Sequence, residues 1–250
     1  MDFLPDLAAD LSTSDWLWLG FSAVCVGMAK TGLSGIGMLV VPVMASVLGA
    51  KPSTGFLLPM LIMADIFAVR YYHRHAEFSY LVKLVPSTIT GVFVAVFVGE
   101  WINDQQFRQL LSVIILAGVV IMIFRLRKAE IPHNIYFASI AGFLGGFTTM
   151  IGNAAGPVMT IYFLAMSLPK NAFIGTAAWF FLCVNLFKVP LHIFFWQTIT
   201  WETFQMNLWL FPLILVGVII GLRVTRLIPE GPYRIFLIIS TILAALKLFF

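Results

Sequence analysis

Gly27-Met28-Ala29-Lys30-Thr31-Gly32-Leu33-Ser34-Gly35-Ile36-Gly37 interrupts an apolar segment with glycines, hydroxyls and one ammonium group. The flanks, roughly residues 15–29 and 34–48, are about 15 residues each, or about 22 Å as helix, against a hydrocarbon core of about 30 Å. Neither flank spans comfortably. The stretch predicts a hairpin of two short helices that enters the membrane, turns at the glycines near mid-depth and leaves on the side it entered. A second hairpin is predicted at Gly146-Phe147-Thr148-Thr149-Met150-Ile151-Gly152-Asn153-Ala154-Ala155-Gly156, where Asn153 takes the place of Ser34.

Working outward, 250 residues of which 61% are hydrophobic and 10% charged, with a mean hydropathy of +1.00, lie outside the range of soluble domains. The chain reads as an integral membrane protein. Its formal charge of +4 then bears on orientation in the bilayer and does not point to nucleic acid. The acidic N-terminus, with no Lys or Arg before Lys30, lacks the basic start of a signal peptide and is expected to be mature sequence. Cys25 and Cys183 sit in apolar segments without metal-ligand or redox spacing, and both read as small core residues. No HExxH, GxSxG or Walker pattern occurs, so neither an enzyme, a cofactor nor a metal is expected.

The chain repeats itself. An offset of 119 aligns Gly27 with Gly146, Ser34 with Asn153, Gly37 with Gly156 and Lys51 with Lys170; one residue more aligns Asp65 with Asn185. Later an offset of 126 pairs Pro86 with Pro212, Gly91 with Gly217, Ile102 with Ile228 and Arg108 with Arg234. Matches of Gly, Pro and Arg at constant offsets are hard to obtain by chance, and they divide the chain into repeats at residues 1–128 and 129–250. In the first, a short connection (51–55) leads into spans near 55–72, 80–99 and 106–125, with a polar loop at 70–79 and a basic, proline-terminated linker at 125–132.

The Lys/Arg distribution orients these spans. If each hairpin returns to its own side, one face receives ten cationic residues, among them Arg70, Arg74, Lys170, Arg223 and Arg226, and the other receives Lys51, Arg108 and Lys247. If each opening segment crossed once, Lys51 and Lys170 would share a face and the count would be six against six. The first arrangement is expected: an all-α polytopic protein of two inverted-topology repeats, each a broken-helix hairpin followed by about three transmembrane helices, with both termini outside the cytoplasm; two full spans in place of each hairpin give the same parity.

Broken helices in inverted repeats are the usual substrate sites of secondary transporters. A helix starting at Ser34 or Asn153 would present unpaired N–H groups and partial positive charge in a medium without water, and an anion satisfies both. Ser and Asn are expected as N-caps, with Gly32, Gly35, Gly152 and Gly156 shaping the backbone. Lys30 adds a full charge, whose cost of about 3 kcal/mol at mid-membrane calls for a carboxylate or a bound anion. Thr31, Thr148 and Thr149 can donate hydroxyl hydrogen bonds. Asn185, Lys188 and His192 share a helix face and are expected to project into the same cavity. Asp65 and His192 are candidates for proton coupling, with Asp65 equally a fixed partner of Lys30 or Lys188.

On the Gly27–Gly37 stretch, Pro42, the 51–55 connection, the second hairpin and the Asn185 region, the chain resembles the TauE/SafE family of sulfite-exporter-like membrane proteins. The resemblance covers nearly the whole chain. It implies a multi-pass transporter of the bacterial inner membrane, moving sulfite, organosulfonates or other small sulfur-containing compounds, mostly outward. The expected partners are that anion and the lipid bilayer, with a homodimer left open. The rivals are a transporter of a cation, metal or amino acid liganded by Asp65, a sulfur-handling enzyme using its cysteines, and a subunit without substrate.

Overall fold

The computed structural model describes residues 10–103, 105–107, 109–110, 113, 135–229, 232, 235 and 239. These form helices α1 (Thr13–Lys30), α2 (Ser34–Leu48), α3 (Ala50–Tyr72), α4 (Phe78–Trp101), α5 (Ile135–Gly152), α6 (Gly156–Ala165), α7 (Lys170–Phe194) and α8 (Trp201–Leu227), with no strand among the described residues. Both predicted breaks occur, at residues 31–33 and 153–155. Five segments are long and apolar enough to cross a membrane: α3 with the turn after it, α4, α5, α7 and α8. The chain is a multi-pass membrane protein.

Several boundaries differ from the sequence reading for local reasons. Residues 51–55 are the first turns of α3 rather than a connection, because Pro52 sits where a helix needs no N–H donor. The polar loop shrinks to residues 76–77, since α3 runs to Tyr72 and a 3-10 turn covers His73–His75. The hairpin arms are unequal. Helices α1 and α5 have 18 residues each, about 27 Å, so α5 by itself has the length of a span. Cys183 is exposed while Cys25 is buried; two residues before the inward-facing Asn185, Cys183 falls on the opposite side of α7. Most of the third span of each half, the 125–132 linker and the repeat boundary at 128/129 lie outside the described residues.

Packing exchanges elements between the two halves. One buried cluster joins α4 to α5, α6 and α7, and the other joins α8 to α1, α2 and α3. Glycines let the backbones meet, as membrane helices require where lipid supplies no hydrophobic drive. A Cβ on Gly91 of α4 would stand 2.1 Å from the Phe143 carbonyl of α5, and a Cβ on Gly217 of α8 would stand 2.1 Å from the Val24 carbonyl of α1. Gly91 and Gly217 are equivalents at offset 126, Val24 and Phe143 at offset 119, so the same contact is made twice. The lysine pair repeats likewise. Lys51 Nζ donates to the Gly99 carbonyl at the end of α4 (3.0 Å), and Lys170 Nζ to the Thr225 carbonyl at the end of α8 (2.7 Å).

Helices α3 and α7 cross at the centre and run antiparallel. Gly55 near the start of α3 packs on Thr198 beyond the end of α7, and Gly175 near the start of α7 packs on the Tyr72 carbonyl ending α3. Lys51 and Lys170 therefore lie at opposite ends of this pair. Lys170 shares a polar pocket with Arg74, His75 and Arg226.

Candidate functional site

The site grows from the α3–α7 crossing. Asp65 and Asn185 are repeat equivalents, and they touch each other: Asn185 Nδ2 donates to Asp65 Oδ2 at 2.8 Å. Lys30, the last residue of α1, reaches the same carboxylate, with Nζ 2.9 Å from Oδ1 and 3.1 Å from Oδ2. The ammonium also lies 4.2 Å from the ring centroid of Phe181, a cation–π contact strengthened by the dry surroundings. Asp65 is fully buried, whereas the Lys30 side chain keeps 12% exposure and faces a cavity.

That cavity, about 90 Å³, lies between the two breaks. One water needs about 10–15 Å³ measured this way, so an ion of a few heavy atoms fits. Its polar lining is Lys30, Asp65, Thr149, Asn153 and Asn185, with Gly32 and Gly156; its apolar lining includes Val26, Leu57, Leu61, Phe173 and Phe181. Gly156 has open space where a Cβ would be. Gly32 holds φ +125°, and a Cβ there would stand 2.6 Å from Thr225 Oγ1, so this turn needs glycine twice over.

The second break is built differently from the first. Asn153 does not cap α6; the residue before α6 is Ala155. Instead Asn153 closes α5 in the left-handed conformation, φ 53°, which Asn tolerates better than most residues. Its N–H returns to the Thr149 carbonyl and that of Ala154 to the Thr148 carbonyl. Its side chain ties two other helices in, Nδ2 donating to the Thr54 carbonyl (3.0 Å) and Oδ1 accepting from Lys188 Nζ (2.7 Å). At the first break Leu33, not Ser34, precedes α2, and Ser34 is already its first helical residue; the Ser34 side chain and the surroundings of Gly35 lie outside the description.

Lys188 is fully buried behind the cavity wall. Its ammonium donates to the Thr149 carbonyl (2.7 Å), Thr149 Oγ1 (3.2 Å), Asn153 Oδ1 (2.7 Å) and Asn185 Oδ1 (3.4 Å). No carboxylate pairs with it among the described residues. Lys30 and Lys188 against Asp65 leave the centre with one formal positive charge in excess.

Other predicted residues lie elsewhere. Thr31 Oγ1 donates to the Gly27 carbonyl (2.8 Å) and packs on α8, and Thr148 Oγ1 donates to the Gly145 carbonyl (3.3 Å); each bonds its own helix, as threonine does where a carbonyl is in reach. Gly152 is buried and, like these two, does not line the cavity. His192 does not share it either. One turn beyond Lys188, its Nδ1 meets Thr198 Oγ1 at 2.8 Å and its ring stands edge-on to Trp196. Sequence reasoning missed Phe181, although it lies four residues before Asn185 and so on the same helix face.

A family model described as Sulfite exporter TauE/SafE matches residues 19–248. Neither a curated protein nor a solved structure matches the chain.

Proposed function

We propose a function on one premise: the chain belongs to the sulfite exporter TauE/SafE family. In our reading it is a secondary transporter that carries small sulfur-containing anions, sulfite or organosulfonates, out across the bacterial inner membrane. It works by alternating access between two inverted repeats, with both termini on the non-cytoplasmic side and no resident cofactor or catalytic step. Support for the repeats comes from the antiparallel run of α3 and α7 and from the doubled contacts at Gly91 and Gly217.

The observation that carries the reading is Lys30. Its ammonium is the cationic group that lines the cavity, and the centre holds two ammonium groups and one carboxylate. In a low-dielectric medium that excess favours an anion as the balancing ligand. Asp65 keeps Lys30 neutralised while the cavity waits, and an arriving oxyanion accepts from Lys30 and from the Thr149 and Asn153 groups of the second break. The amino-terminal end of α6, lined by Gly156, adds partial positive charge. The apolar wall suits the methylene portion of an organosulfonate. Outward movement of one negative charge gains about 2.3 kcal/mol per 100 mV of inside-negative potential, so export needs no coupling ion. The rival cation site finds Asp65 already engaged on both oxygens by Lys30 and Asn185.

The test is charge movement by purified protein in liposomes on a solid-supported membrane, with sulfite, sulfoacetate, taurine, sulfate and chloride supplied in turn. A saturable current for a sulfur oxyanion, lost in Lys30→Ala, is the expected result. Currents for cations alone would replace this reading with the Asp65 one.

A further inference from the structure

Lys188 is a second buried charge, and the transport reading assigns it no contact with substrate. Its surroundings say what it does. Four oxygens converge on Nζ: a peptide carbonyl, a hydroxyl and two amide carbonyls, from Thr149, Asn153 and Asn185. All are neutral hard donors, the kind that hold hard metal cations. The Thr149 carbonyl belongs to the last turn of α5, where the helix dipole is negative. In broken-helix transporters this position, the carboxyl end of a half-helix beside unwound backbone, is where coupling cations are coordinated.

We propose that Lys188 is a tethered cation: from α7 its ammonium fills an oxygen cage at the second helix break that a monovalent metal ion such as sodium would otherwise occupy. The inference deepens the anion-transporter reading and rests on it for its functional half, that transport by this chain proceeds without sodium. The cage also explains how a charge outside the cavity serves the site. Thr149 and Asn153 bind Lys188 on one side and line the cavity on the other, so a cation in the cage holds the break in shape and biases the cavity toward anions. The first break lacks this device, because the repeat equivalent of Lys188 is Ala68, and its charge comes from Lys30 on α1 itself.

Two measurements test the proposal. In the first, charge movement by the unmodified protein is compared in sodium and in N-methylglucamine buffers; equal currents are expected, and a requirement for sodium overturns the proposal. In the second, the thermal stability of purified Lys188→Ala and of the unmodified protein is followed with sodium, lithium and choline chloride at equal ionic strength, without any substrate. Binding to the vacated cage raises the Tm of the variant by about 3 °C in sodium or lithium over choline, with no such difference in the unmodified protein. A variant that folds but responds alike to all three salts overturns the proposal. Because chloride is common to all three salts and no sulfur anion is present, the outcome of the stability readout stands even if no sulfur anion is transported. If the variant does not fold, the sodium comparison on the unmodified protein decides alone.

Discussion

The two helix breaks share one sequence pattern and yet place their charges by different routes. At the first, the ammonium of Lys30 sits on the broken helix itself and is neutralised by Asp65 across the cavity wall. At the second, Thr149 occupies the equivalent position, and the charge arrives from α7 through Lys188, held by neutral oxygens. The backbone interruption is common to both, and the electrostatics differ. The result is an asymmetric pocket in which one cation faces the cavity and the other supports its wall.

Exchanging residues at the first break has the largest expected effects. Lys30→Ala removes the cation in the cavity and leaves Asp65 buried with only Asn185 to support it; anion affinity should fall by roughly 100-fold or more, about 2.7 kcal/mol, within the range for truncating one partner of a buried charge contact to a ligand. Titration of anion-induced thermal stabilisation measures it, and unchanged affinity would remove Lys30 from the site. Gly32→Ala is next in size. A methyl group at φ +125° against Thr225 should destabilise the protein by about 2–4 kcal/mol, seen as a lowered Tm in detergent.

Contacts shared by the repeats give a finer test. Gly91→Ala and Gly217→Ala meet opposing carbonyls at the same distance, so each should cost about 1–3 kcal/mol and the two should agree within about 0.5 kcal/mol. A large inequality in their Tm shifts would break the symmetry of the two interfaces. The smallest effect belongs to Gly156→Ala. With open space at its Cβ, it should change stability by no more than about 1 kcal/mol, and in the stabilising direction. Its added methyl narrows the cavity, so transport of the bulkier sulfonates should fall relative to sulfite in the same liposome assay.

Much of this was written in the chain. Glycines clustered in apolar segments predicted both interruptions, and they appear at residues 31–33 and 153–155, because a backbone turn inside hydrocarbon needs those residue types wherever it occurs. Constant offsets aligned Lys51 with Lys170, and the structure adds that the two make matching hydrogen bonds. Helical spacing put Asn185 and Lys188 on one face, since 3.6 residues per turn is a local rule.

What only the tertiary structure decided are the relations that local rules do not reach. Asn153 has the composition of an N-cap, but a residue that can enter the left-handed region also closes the preceding helix, and the positions of Thr54 and Lys188 settle which. Asp65 could have paired with either lysine; the crossing of α3 and α7 sets it beside Lys30 and leaves Lys188 to the oxygens of α5. The exchange of α4 and α8 between the halves follows from glycine faces that fit the partner's backbone. Spacing along one chain states that such a face exists, and shape complementarity between distant helices determines what fills it.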